Sequence, residues 1–566
     1  VIEQDNGPYF VAVRDDGSGS RFLSLLNAFY LASMIASEKN VKFFWNDSIV
    51  IYKDAVSADK GNNFRQVGQQ RVIGSSIEKK EEVFTEEFIE KFFLENTYSY
   101  NTNWLFSKTT YPKEIFEVST WFGKLTLKDI KDKFDNKEFK LFFVHHSNMA
   151  QELHLDFMDY RRKTEEIWKK IGFVPKLKQV MDMALSAAQS LNKNFNIIHL
   201  RSGDSIYSYC NLRKFNLQSV YHAALYELSI ALVEKKMQGE NVVIVGDDLD
   251  SIEHLVRVID KKNVISIEKF RKSEDFSTLE LFLFDVVFMS EAKKIYGTFS
   301  AVIRLSELIN SEVKLYNYYE IFDIQEQYKI VKENFKKLNL HPDQKAFSLF
   351  HTYLLAKKNN LATKILQSYL YQALEYDDDN DKYRIHIVDC FLRDKQFDKA
   401  EEYLKNVFKT RKHEYLETLL LHGWEGVVYA EVFDNYFSAA TDQYPNTLLV
   451  AQRILEERYG AEYRIKNYFC YKLGQQVIGL KKISNILKFP YSLYKLIQSQ
   501  KSKKQRMIKL PPIETYKDYD RALKIKRHLS YRIGLMLVDA HKNWWRGGYI
   551  IYPVNFFKDI TFKKRK

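Results

Sequence analysis

Between residues 195 and 316 five apolar runs recur, at 195–200, 242–246, 264–267, 294–297 and 313–316, with helical stretches between them. Strands alternating with helices in this way give a parallel sheet covered by helices on both faces. A similar unit opens the chain. An apolar strand at 9–14 runs into the turn Asp15-Asp-Gly-Ser-Gly-Ser-Arg21 and the apolar-periodic stretch 22–36, and further strands follow at 41–45 and 141–144. Two Rossmann-like halves are therefore expected, residues 1–174 and 175–328, with the break at Val174-Pro175. The polar stretch 55–80 reads as an insertion or loop over the cleft, and the aromatic stretch Tyr98-Ser-Tyr-Asn-Thr-Asn-Trp104 as packing or as a sugar platform.

After residue 328 the pattern becomes helical only, giving an α/β chain followed by an all-α part. Short amphipathic helices at 346–357, 361–375, 383–392 and 397–409 have the spacing of degenerate TPR-like repeats, over a domain spanning 329–485. Such arrays commonly hold a protein partner. The acidic stretch Asp377-Asp-Asp-Asn-Asp381 reads as an inter-helix loop. Residues 486–566 form a basic, aromatic tail with a helix at 519–541, Lys542-Asn-Trp-Trp-Arg-Gly-Gly-Tyr549, and a Lys563-Lys-Arg-Lys566 end. Paired tryptophans beside Lys and Arg suit an anionic membrane surface, and they equally suit a helix docked on the preceding domain with a solvated tail.

The run at 196–200 ends in His199-Leu-Arg-Ser-Gly-Asp204. Open α/β sheets bind ligands at the carboxyl ends of their strands. There Arg201 offers a fork of donors suited to a diphosphate, Gly203 admits close backbone approach, and Asp204 can orient Arg201 through a charge-assisted pair. An Arg–Asp pair at a strand end also serves as a structural ion pair. Downstream, the strand at 242–246 ends in Asp247-Asp248, and Gly297-Thr-Phe-Ser300 opens the helix at 301–309. In the first half, Gly17 and Gly19 can admit a phosphate or sugar to a helix amino terminus, or merely close a tight turn. Candidate acceptor bases are Asp15, Asp16 and His145; His145-His146 is a poor metal pair, because neighbours on an extended backbone point apart.

Over roughly residues 17–310 these segments resemble the bacterial and animal α1,2/α1,6-fucosyltransferase and protein O-fucosyltransferase superfamily. In that group one strand ends in His-x-Arg-x-x-Asp, another in paired acids, and a third in a Thr-Phe-Ser turn capping a helix. The resemblance implies a GT-B pair of domains, a GDP-sugar donor and inversion at the anomeric carbon. It implies that Arg201 acts on the leaving diphosphate. It further implies donor binding by His199, Gly203, Asp247, Asp248, Asp285, Thr298, Phe299 and Ser300, with Gly17, Gly19 and Arg21 from the glycine-rich loop. Many members carry a second arginine where this chain has Ser202, so the donor can differ from GDP-fucose. Since cations and helix dipoles can do the work of a metal, no metal is expected. A glycan or glycolipid of a bacterial surface is the expected acceptor.

With 566 residues, 45% of them hydrophobic, the chain has enough apolar material for several cores. A net charge of +13 favours an anionic partner, but no nucleic-acid-binding signature accompanies it. Cys210, Cys390 and Cys470 lie far apart, which argues against zinc or a disulfide framework. The polar opening Val1-Ile-Glu-Gln-Asp5 is unlike a signal peptide, and no apolar run is long enough to span a bilayer. The expectation is a cytoplasmic protein, peripheral on the cytoplasmic face of the membrane if the tail binds there. A non-catalytic transferase-like scaffold in a glycan-assembly complex is the competing reading.

Overall fold

The computed structural model describes residues 7–14, 16–45, 64–67, 70–74, 77–94, 114–118, 125–207, 211–214, 222–423, 426–458, 460–466, 468–478, 491–497, 519–543 and 545. Asp15, Cys210, the aromatic stretch 98–104 and the basic segments at 501–509 and 546–566 lie outside these residues, as does the side chain of Asp204. The chain divides into two compact units, one running to Tyr383 and taking in 422–428, the other holding 384–421 and the residues from 429 onward.

The first unit contains both α/β halves. In the first, β1 (Tyr9–Val13), β2 (Val41–Phe44), β5 (Ile115–Glu117) and β6 (Leu141–Val144) form a sheet in the order β2-β1-β6-β5, parallel throughout. The helix Ser18–Ile35 is buried on almost every face, as its apolar composition dictates. It packs on β1 and also against the helices Phe157–Trp168 and Ala301–Ile309. A hairpin of β3 (Phe64–Val67) and β4 (Gln70–Ile73) lies inside the stretch read as a loop. Its anchors are remote in sequence: Val72 bridges Asp248, Ile73 N–H donates to the Asp247 carbonyl at 2.7 Å, and Arg71 pairs with Asp250 and Glu253.

In the second half β7 (Asn196–Leu200), β8 (Val242–Gly246), β9 (Val264–Ser266), β10 (Lys294–Gly297) and β11 (Lys314–Asn317) form a parallel sheet in the order β11-β10-β7-β8-β9. The order reverses between β7 and β10. That is the switch point of a doubly wound sheet, where a crevice opens at the carboxyl edge. The Rossmann-like α/β expectation and the five strand positions match this architecture. Pro175 starts the helix Pro175–Ser190 from its first position, where a missing N–H costs nothing.

The helices that follow do not separate at residue 328. Gln344, on the helix Pro342–Lys358, donates to the Ala224 carbonyl at 3.4 Å, and His351 stacks on Tyr319. The acidic loop is also occupied: Arg213 pairs with Asp377 and Asp379, and buried Lys382 donates to the Arg213 carbonyl. These contacts hold the chain as far as Tyr383 in the first unit. In the second unit, Glu401 caps the helix Pro445–Arg458 by accepting from the Asn446 and Thr447 amides. The helices Phe469–Ile478 and Leu529–Lys542 cross at Gly474 and Gly534, where a Cβ would sit 1.7 Å and 1.6 Å from the opposing carbonyl oxygens of Ser530 and Cys470. The tail helix therefore docks on the segment before it, across the expected boundary at 485. Trp545 beyond it is 64% exposed.

Candidate functional site

The switch point of the second sheet brings three of the sequence-singled segments together. His199 lies in β7, 5% exposed, and a Cβ on Gly297 at the end of β10 would lie 3.3 Å from the His199 Cβ. Arg201 follows two residues on and is half-buried. Burial, helped by the Arg201 charge, lowers the His199 pKa to about 3, so the imidazole is neutral beside the cation. Beyond Gly297, Thr298 donates through Oγ1 to the His222 carbonyl at 2.6 Å, which fixes the turn. Phe299 is exposed. Ser300 is the N-cap of the helix Ala301–Ile309, but its hydroxyl caps nothing; it is buried with no hydrogen-bond partner.

A second helix amino terminus meets this one. Gly17 is the N-cap of the helix Ser18–Ile35 and has open space around it. Two residues on, a Cβ at Gly19 would lie 3.1 Å from that of Ala301. Two helix starts without side-chain caps thus converge, and their dipoles repel unless negative charge lies between them. Arg21 has another task. Fully buried, it lies over the Trp45 ring and donates through Nε to the Asp16 carbonyl at 2.7 Å, so it shapes the glycine-rich turn from behind.

The acids divide by task. Asp247 braces the turn after β7: its Oδ1 accepts from the Ser202 N–H at 2.8 Å, and its Oδ2 occupies the space a Cβ at Gly203 would need. Asp248 is fully buried. It caps the helix Leu249–Ile259 by accepting from Ser251 N–H, and also accepts from Tyr207 and Gln70. Burial raises its pKa despite those donors. Asp285 faces Arg271, with Nε–Oδ1 at 2.7 Å and Nη2–Oδ2 at 2.8 Å, and the Arg271 side chain is wholly buried. The structure therefore gathers His199, Arg201, Gly203 and Thr298–Ser300 at one edge, meeting Gly17 and Gly19. It places Asp248, Asp285 and Arg21 in the supporting frame.

Residues 395–565 match a family model described as Domain of unknown function (DUF8374). No curated protein matches the chain. Among solved structures it is similar to the fucosyltransferase NodZ from Bradyrhizobium, at 12% identity over 54% of this chain and 93% of that one, with a TM-score of 0.27. The same enzyme soaked with GDP-fucose gives a TM-score of 0.28. POFUT1 in complex with GDP is similar at 10% identity over 56% of this chain and 100% of that one, TM-score 0.27.

Ser202 has a local explanation. It is fully buried, with its hydroxyl 3.1 Å from Tyr226 OH. An arginine here would force a long, charged side chain into a fully buried position already filled by the Tyr226 hydroxyl. Ser202→Arg is expected to destabilise the fold by about 3 kcal/mol, read as a lower melting temperature, with no gain in GDP binding.

Along the first sheet's carboxyl edge lies a second group of ionisable residues. Arg14 pairs with Asp16 through Nε–Oδ1 at 3.0 Å and through Nη2. Burial opposes ionisation of Asp16, but the Arg14 guanidinium outweighs it and holds the carboxyl well below its usual range. His145 Nε2 lies 3.0 Å from Glu117 Oε1. His146 is pushed well down by burial and by Arg14. Arg304, one turn into the helix Ala301–Ile309, donates to the His146 carbonyl at 2.6 Å and joins the two edges. Glu152 belongs to this group and was missed in the sequence, where a lone Glu in a short polar helix carries no signal.

Proposed function

We propose that the chain is an inverting, metal-independent glycosyltransferase. It moves a sugar from a GDP-sugar, fucose or a relative of it, onto a bacterial surface glycan such as lipopolysaccharide, O-antigen or capsule. The observation that carries this reading is the meeting of two helix amino termini without side-chain caps beside Arg201, at the switch point of a doubly wound parallel sheet. A nucleoside diphosphate has the charge that two converging helix amino termini favour. As the glycosidic bond breaks, the diphosphate gains negative charge, so a placed guanidinium and helix amides stabilise the transition state more than the bound donor. Arg201 is the principal cation, Asp204 its orienting acid, and the amides of Gly297 to Ser300 the second donor set. His199 and Gly203 shape the floor, while Asp247, Asp248 and Asp285 hold the frame from which the nucleotide is bound.

In the same reading the two halves form a GT-B pair. The helical part is a TPR-like platform for a protein partner, and the basic tail is a peripheral contact with the cytoplasmic membrane face. Among the described residues no helix is long and apolar enough to cross a membrane.

The experiment is nucleotide release from GDP-fucose, GDP-mannose, other GDP-sugars and UDP-sugars, with chelator present. Turnover of one GDP-sugar, unaffected by chelator, is the expected result. Absence of turnover together with absence of thermal stabilisation by GDP would leave the scaffold reading in its place.

A further inference from the structure

We propose that the segment 222–225 is the brace that sets Arg201 against the turn at 298–300, and that Tyr319, which holds this segment, is a positioning residue for the transfer. The inference rests on the transferase reading above. The segment leads into the helix Tyr226–Lys236. Ala223, Ala224 and Leu225 are fully buried, yet they belong to no helix or strand. Buried backbone of this kind has to find hydrogen-bond partners elsewhere. Here each carbonyl is met by a side chain. Thr298 Oγ1 donates to His222 at 2.6 Å, Tyr319 OH to Ala223 at 2.6 Å, Gln344 Nε2 to Ala224 at 3.4 Å and Tyr318 OH to Leu225 at 2.5 Å. Those donors come from the turn after β10, the turn after β11 and the helix Pro342–Lys358.

The same segment reaches Arg201 directly. Ala224 N–H donates to the Arg201 carbonyl at 3.0 Å. At the other end of that peptide group, Ser202 N–H donates to Asp247 Oδ1 at 2.8 Å. A planar peptide held at both ends fixes the direction in which the Arg201 side chain leaves the backbone. Thr298 is tied to His222, two residues before Ala224. One short segment is thus bonded to both of the groups assigned to the diphosphate, and its place sets the spacing between the guanidinium and the helix amides.

Tyr319 is built to hold that place. Its N–H donates to Asn317 Oδ1 at 3.1 Å, and its carbonyl accepts from Gln327 Nε2 at 2.7 Å. Its ring stacks on His351, with centroids 4.9 Å apart and planes 17° from parallel. With backbone and ring both fixed, the hydroxyl is presented to Ala223 at a set distance. His351 lies on the helix Pro342–Lys358, beyond the five-stranded sheet, so this helix takes part in shaping the donor site.

The test measures GDP release from whichever GDP-sugar turns over fastest, with water as acceptor, in wild type, Tyr319→Phe, Gln344→Met and Tyr328→Phe. Rates are counted per GDP-binding site, titrated by calorimetry, so that loss of folded protein does not register. Tyr319→Phe keeps the stacked ring and removes the bond to Ala223; it is expected to lower kcat by about 10–100-fold, the scale on which small misplacements act. Donor KM should change far less, since the arginine acts chiefly on the transition state. Gln344→Met cuts the bond to the next carbonyl at similar bulk and should lower kcat by about tenfold. Tyr328→Phe removes a hydroxyl 2.8 Å from Tyr369 OH, away from the segment, and should leave kcat unchanged. A kcat within about threefold of wild type in Tyr319→Phe, or in Gln344→Met if Tyr319→Phe does not fold, overturns the brace and leaves the transferase reading intact. An equal loss in Tyr328→Phe does the same. No wild-type turnover with any donor overturns both.

Discussion

Arg201→Ala is expected to lower turnover of the GDP-sugar by about a thousandfold or more, with the melting temperature close to wild type. The magnitude follows from what the residue would do. Guanidinium groups that meet developing phosphate charge contribute about 10³–10⁵ in rate, and a single well-placed hydrogen-bond donor about 10²–10³. Arg201→Lys should recover little, because a point charge on a flexible stem cannot reproduce the planar fork. The effect should fall mainly on kcat, since the charge on the leaving diphosphate is greatest in the transition state. The fold should tolerate the change because Arg201 is half-buried at a strand end, and the turn beneath it is held by other groups: Ser202 N–H on Asp247, and the short helix that starts at Gly203. Steady-state kinetics with parallel melting curves check both halves of the expectation. Near-normal kcat in a folded Arg201→Ala protein would remove the central role assigned to this arginine.

The parts of this architecture visible in the sequence are those specified by short-range pattern. Strand β8 is an uninterrupted apolar run, and β7 and β10 are largely apolar, because both faces of the sheet are covered, and that composition is readable without a structure. Gly297 and Gly203 mark close approaches, one against Ile303 and His199, the other against Asp247. What stayed hidden depends on partners far along the chain. The β3–β4 hairpin looks like polar loop because its stabilising contacts, Asp248, Asp250 and Glu253, lie well beyond it in sequence. Arg21 reads as a ligand contact at a glycine-rich turn, yet the Trp45 ring fills the space behind the turn and draws it inward. Glu152 gains its character from Glu117, Arg304 and burial, none of which its own helix reveals. The boundary read at 328 dissolves for the same reason, since Gln344 and His351 reach back onto the second sheet's connections.

Asp285 offers the sharpest separation between a ligand role and a structural one. Resemblance implies that this acid touches the donor nucleotide; the structure sets it in a two-bond pair with Arg271, whose side chain is wholly buried and also bonds Glu268 and Ser273. A buried guanidinium deprived of its main carboxylate keeps its desolvation cost and loses the attraction that offset it. Asp285→Ala is therefore expected to destabilise the first unit by about 3–5 kcal/mol, with Glu268 keeping the loss toward the lower end. At this size the shift in melting temperature should be several degrees, about 2–4 °C for each kcal/mol. Replacing both partners, Asp285→Leu with Arg271→Met, should recover part of the loss, because the unpaired buried guanidinium is gone and Glu268 keeps its hydrogen bonds from Ser273. GDP affinity, measured by calorimetry below the melting transition, should change little in either variant. The opposite pattern, an unchanged melting temperature with GDP binding weakened tenfold or more, would move Asp285 from the frame to the nucleotide. It would also require Arg271 to find its charge balance in Glu268 alone.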